Sequence, residues 1–167
     1  MTHTHLLLPA LLLALLIGVV AGLRSLTAPA VVAWAACPSL FDWIDLSGKW
    51  LSWVGSVVTV VILTILAVAE LVSDKLPKTP PRTAPPAFGA RILMGGFAGA
   101  VIGTPFGHPW TAVGAGIVGA VLGTLGGYQA RKRLVAAIGG KDLPIALPED
   151  AVAILGGLAI AWSAYNW

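Results

Sequence analysis

Apolar stretches free of charge recur along this chain at lengths suited to a membrane. Leu6 to Leu23 gives 18 uncharged residues, close to the roughly 20 that a helix needs to cross a hydrocarbon core about 30 Å thick. A second, shorter apolar run over 25–40 is interrupted by Pro29 and Pro38, and Ser25 or Thr27 can cap its start. The third span, 50–70, opens with 20 uncharged residues from Trp50 to Ala69 and ends on Glu70. Between Ile92 and Ala130 no charge occurs over 39 positions, which suits two spans, 88–103 and 111–129, joined by a turn at Thr104–Trp110. A last apolar run, 151–167, follows Pro148-Glu149-Asp150, an acidic helix start. The pattern predicts an all-α membrane protein, one integral domain over 1–167 with a bundle of about six transmembrane helices. Two sets of three spans would be inverted halves in the membrane.

Composition excludes the other broad classes. Hydrophobic residues make up 57% and charged residues 10%, against about 25% charged in an ordinary soluble domain. A disordered chain is excluded too, because disorder requires few apolar residues and much charge. A single cysteine, Cys37, leaves no disulfide framework and reads as a small buried hydrophobe. A cleaved signal peptide needs a basic start, whereas here the first arginine, Arg24, follows the apolar run. The expectation is an uncleaved first helix.

Charge then orients the bundle. The first, third and fifth connectors hold Arg24, Lys75, Lys78, Arg82, Arg91, Arg131, Lys132, Arg133 and Lys141, while the second and fourth hold Lys49 alone. Lys and Arg in short loops stay on the cytoplasmic side, so both termini are predicted outside. Trp43, Trp50, Trp53, Trp110, Trp162 and Trp167 fall at the outer ends, as an interfacial belt would. The net charge of +3 therefore needs no nucleic acid partner.

Two constellations stand out. Gly95, Gly99 and Gly103 on the fourth span, and Gly119, Gly123 and Gly127 on the fifth, each repeat every four residues and so share a helix face. Such faces let backbones approach closely, either within a hairpin of neighbouring helices or between copies in a homo-oligomer. The second constellation is a charged rim at the predicted cytoplasmic end: Arg24, Glu70, Asp74, Lys75, Arg91, Glu149 and Asp150. It reads either as ion pairs that fix helix ends, with Glu70 as the central partner of Arg24 and Arg91, or as a vestibule. In a vestibule the arginines would hold an anion and the carboxylates a cation or a proton. His3, His5 and His108 lie in a tail and a turn and make no metal site. Neither a catalytic constellation nor a cofactor motif emerges, so an enzyme is not expected.

The block Glu70-Leu-Val-Ser-Asp74-Lys75-Leu-Pro77-Lys78-Thr79-Pro80-Pro81-Arg82, with Arg91, the helix Gly95 to Gly103, and Gly22-Leu23-Arg24-Ser25, resembles a bacterial family of small polytopic membrane proteins, number 4126 of the domains of unknown function. The resemblance covers about Leu15 to Gly103. It implies an inner-membrane protein without an assigned activity and sets the rim residues within the family's motifs. Two functions are then in view. One is a small transporter or permease for an ion or small anionic solute; the other is a non-transporting scaffold that binds anionic lipid headgroups. Partners in either case are the lipid bilayer and an anionic lipid or small solute.

Overall fold

The computed structural model describes residues 4–75, 81–140 and 142–167. His3, Pro77, Lys78, Pro80 and Lys141, and the side chain of His5, lie outside the described residues. Among those described there are six α-helices and no strand: α1 (Thr4–Leu23), α2 (Thr27–Ala36), α3 (Val57–Ser73), α4 (Pro85–Gly103), α5 (Pro109–Ala137) and α6 (Leu143–Tyr165). The protein is an all-α membrane bundle. α1, α4, α5 and α6 are long and apolar enough to cross a membrane, whereas α2 and α3 are shorter apolar helices of 10 and 17 residues.

Local chemistry explains where the helices depart from the apolar runs. α2 stops at Ala36 because Pro38 pushes its predecessor Cys37 into an extended conformation, with ψ 116°. α3 begins only at Val57, where Ser56 accepts a hydrogen bond from the Thr59 amide; a 3-10 turn, Ser52–Gly55, precedes it. α4 begins at Pro85 and not at 88, since prolines in the first turn forfeit amides that have no intrahelical partner. α5 runs through Arg131-Lys132-Arg133 to Ala137, eight residues beyond Gln129, because Arg, Lys, Ala and Leu are strong helix formers. It ends at Gly139 and Gly140, both at positive φ. α6 starts at Leu143, well before 151, so Glu149 and Asp150 sit in its second turn rather than at its N-terminus.

The helices pack in two groups. α1, α4 and α5 meet one another closely, and α2 is set among α6, α3, α4 and α1. Nine of the ten residues of α2 are buried, as expected of a helix apolar on all sides. At 1.5 Å per residue it covers about 15 Å, half of a hydrocarbon core. Its C-terminal end is covered by the loop 37–56, which turns in Ile44, Leu46, Leu51 and Val54. Interfaces are unequal between the two sets of three helices: α2 packs on α6, while α3 and α5 share no comparable interface. Val58, Ile65, Leu93, Val152 and Leu155 are exposed, a perimeter that only lipid covers well. Trp50 of the loop 37–56 stacks on Trp110, at the start of α5, with centroids 5.7 Å apart.

The glycine faces divide differently from the expected pairing. On α4, Gly95, Gly99 and Gly103 do face α5, but they meet Ala112, Gly116 and Ala120; a Cβ on Gly99 would lie 2.5 Å from the Ala112 carbonyl oxygen. Gly119 and Gly123 face α1 instead, against the carbonyls of Leu15 and Val19, and Gly127 meets Leu23 and Arg82. The reason is angular. Three residues turn a helix by about 300°, so the 112/116/120 and 119/123/127 rows lie side by side and serve two neighbours. Gly18 and Gly22 on α1 complete the second interface, with a Gly22 Cβ 2.5 Å from the Ala120 oxygen.

Candidate functional site

The charged residues converge where α1 breaks into α2. Arg24 follows α1 directly, its amide bonded to the Val20 carbonyl at 2.9 Å. Its side chain is 0% exposed. A guanidinium with five donors can serve several carboxylates at once. Here Nη1 binds Asp74 Oδ2 at the end of α3, and Nε donates to Asp150 Oδ1 of α6 at 2.7 Å. Glu149 Oε2 stands 3.8 Å from Nη2. Lys75 Nζ donates to the other Asp150 oxygen at 2.6 Å.

Glu70 has a different role from the one expected. It is not the partner of Arg24. Its Oε1 accepts from the Ser25 amide at 2.8 Å and the Ser25 hydroxyl at 2.6 Å, and its Oε2 accepts from the Leu26 amide at 2.7 Å. The carboxylate thus caps the N-terminus of α2 from another helix, at the positive end of its dipole. Sequence reasoning offered Ser25 or Thr27 as the cap of this helix; neither side chain caps it, and the Ser25 hydroxyl instead donates to Glu70. Arg91, buried in the second turn of α4, sets Nη2 3.9 Å from both Glu70 Oε1 and Asp74 Oδ2, and Nη1 donates to the Ala87 carbonyl at 3.1 Å. Spacing of four residues therefore does put Glu70 and Asp74 on one face.

All seven rim residues, Arg24, Glu70, Asp74, Lys75, Arg91, Glu149 and Asp150, belong to one network. Two members were missed. Arg82 is buried and clasps Glu149 with both terminal nitrogens, at 2.6 and 3.1 Å; Arg131 joins Glu149 at 3.1 Å and Asp142 at 2.6 and 2.9 Å. Both sit in stretches that read as a proline-rich connector and a solvated basic cluster. The available signal was charge balance: seven acids occur in the chain, and all except Asp42 and Asp45 enter this network. An arginine near hydrocarbon calls for such a carboxylate.

Asp142 lies at the boundary, ahead of α6. The two hydrogen bonds from Arg131 hold its carboxyl below the ordinary value of 3.8. A depressed carboxyl stabilises the fold above its unfolded value, and that contribution is lost as pH falls through the folded one. The tie between the ends of α5 and α6 is therefore expected to hold from neutrality to about pH 4 and to release below that. Asp142 is 52% exposed, so the effect is local and salt-sensitive. Hydrogen exchange at the first turn of α6 should rise in acid for the wild type, and be fast and pH-insensitive beyond the intrinsic rate in Asp142→Asn.

With this geometry in place, the comparisons with known proteins are narrow. Residues 92–131 match the family described as a glycine zipper 2TM domain, the stretch that holds most of the α4–α5 hairpin. No curated protein and no solved structure matches the chain. The zipper and the apolar helices together define a membrane protein whose α4 and α5 pair through small residues.

Proposed function

We propose that the protein is a small transporter of the bacterial inner membrane for an ion or a small anionic solute, belonging to the family of unknown function 4126 that its central block resembles. The observation that carries this reading is the half-length helix α2, enclosed by its neighbours and beginning at a buried charged junction. Broken helices of this kind place helix ends and their dipoles inside a membrane protein, where they meet ions. Both termini face outward in this reading, because nine of the ten cations fall in the first, third and fifth of the sequence intervals between the apolar runs.

The test is flux into proteoliposomes against a panel of chloride, nitrate, phosphate and acetate. Wild type is expected to move one of them above the leak of protein-free liposomes, and folded Glu70→Gln is expected to lose that flux. In a Cys37→Ala background, an impermeant thiol reagent on intact cells should label Trp167→Cys and spare Gly140→Cys; the reverse pattern overturns the orientation. One observation favours the scaffold reading as the second choice. Tyr128, Arg131, Lys132, Val135 and Asp142 line an open groove of about 240 Å³, with an aromatic ring and cations suited to an anionic headgroup. No flux of any panel anion would leave that reading in place.

A further inference from the structure

α5 is longer than a membrane is thick. Its 29 residues extend roughly 43 Å against a hydrocarbon core of about 30 Å, so its basic end, tied by Arg131 to Asp142 and Glu149, stands at headgroup level. One face changes character on the way there. Val118, Val121, Leu125, Tyr128, Lys132 and Val135 follow one another at steps of three and four residues and form a single stripe. Val118 and Leu125 are exposed on the perimeter of the bundle. Tyr128 comes where the uncharged run ends, the level at which amphipathic rings settle, and Lys132 stands one turn beyond. Apolar, aromatic, cationic is also the order in which a phospholipid presents its chain, its ester region and its phosphate.

The stripe leads into the open groove of about 240 Å³ lined by Tyr128, Arg131, Lys132, Val135 and Asp142, where α5 and α6, which barely pack on one another, are joined by the Arg131 tie. Arg131 spends its charge on Asp142 and Glu149. Lys132 makes no hydrogen bond or ion pair with the described residues, so one positive charge in the groove is left to balance. The half-exposed Asp142 carboxylate repels a second negative charge but accepts from hydroxyl donors. We infer that the groove holds one anionic phospholipid with a phosphodiester and a hydroxylated headgroup: phosphate on Lys132, headgroup hydroxyls on Asp142, an acyl chain along Val118, Val121 and Leu125. This rests on the headgroup reading given second above, to which it adds the lipid class, the place and the stoichiometry, and it holds with or without transport.

The full-length protein in a neutral detergent is titrated with phosphatidylglycerol and read by native mass spectrometry. Wild type should saturate at one tightly held lipid and bind phosphatidylethanolamine and phosphatidylcholine at least tenfold more weakly. Lys132→Gln should lose about tenfold in affinity through its charge-assisted bond to the phosphate. Arg133→Gln, the exposed neighbour that does not line the groove, should lose less than twofold. Neither change threatens the fold, because both side chains are exposed and without a partner among the described residues. A diffuse attraction of anionic lipid would instead weaken both variants by the same factor, about fivefold for one cation at a charged surface; that outcome overturns the site and keeps the headgroup reading. Glycerophosphoglycerol, the same headgroup without chains, should not compete at the concentration that saturates the lipid, and equal competition overturns the lipid as occupant. A preference for phosphatidylethanolamine overturns the charge assignment, and phosphatidylglycerol bound no better than phosphatidylcholine removes the site and the headgroup reading together.

Discussion

Leucine at Gly123 is expected to prevent the bundle from closing, and leucine at Gly99 to do nearly the same. A Cβ on Gly123 would overlap the Val19 carbonyl of α1, and one on Gly99 would press the Ala112 carbonyl of α5. Backbone oxygens cannot rotate away as a side-chain tip can, so the helices must separate. Overpacking a close interface ordinarily costs about 1–3 kcal/mol, and here the loss extends along a whole helix pair because association rests on close backbone contact rather than on a hydrophobic drive. The comparison is built into α5. A Cβ on Gly114 or Gly126 meets nothing within 4 Å, and replacing glycine in a helix favours the helix by up to about 1 kcal/mol. Gly114→Leu and Gly126→Leu should therefore survive detergent extraction and heating as wild type does, while Gly99→Leu and Gly123→Leu aggregate or unfold at markedly lower temperature. Equal behaviour of the two sets would show that the small-residue rows do not carry the packing.

The contrast between these glycines shows what the sequence could disclose. Period-four glycines announce a close approach, and the short turn after Gly103 names α5 as the partner of α4. Which row of α5 meets which neighbour is not encoded in the spacing, since α5 has two adjacent small rows and α1 brings its own pair, Gly18 and Gly22. The rim was legible for a related reason. Charges beside long apolar runs are too costly to leave unpaired, so Arg24, Arg91 and their carboxylates could be gathered without coordinates. Their assignments could not. Five carboxylates and five cations admit many pairings, and the choice depends on α6 starting at Leu143, which turns Asp150 toward Arg24, and on α2 starting beside Glu70. Arg82 and Arg131 were hidden by sequence context, because prolines and a basic cluster describe solvated connectors equally well.

The same geometry makes Arg24→Met the most damaging change expected in the network. Methionine matches much of the stem's volume but leaves Asp74 without its close partner, with Arg91 3.9 Å away; Asp150 keeps Lys75 at 2.6 Å. Removing one side of a buried ion pair costs about 3–5 kcal/mol, mostly through the charge left behind. Arg24→Lys should fall between, since one ammonium cannot span carboxylates on α3 and α6 as the guanidinium fork does. Charge removal on the other side separates burial from attraction. If the penalty is the stranded carboxylate, Arg24→Met with Asp74→Asn should regain part of the loss, whereas Arg24→Met with Asp142→Asn should not, because Asp142 is held by Arg131 and has no bond to Arg24. Thermal unfolding in one detergent, monitored by far-ultraviolet circular dichroism, ranks the five proteins. An Arg24→Met variant as stable as wild type, or equal recovery with both second changes, would mean that the junction owes its stability to the packing of α2 and that its charges are held there for another purpose.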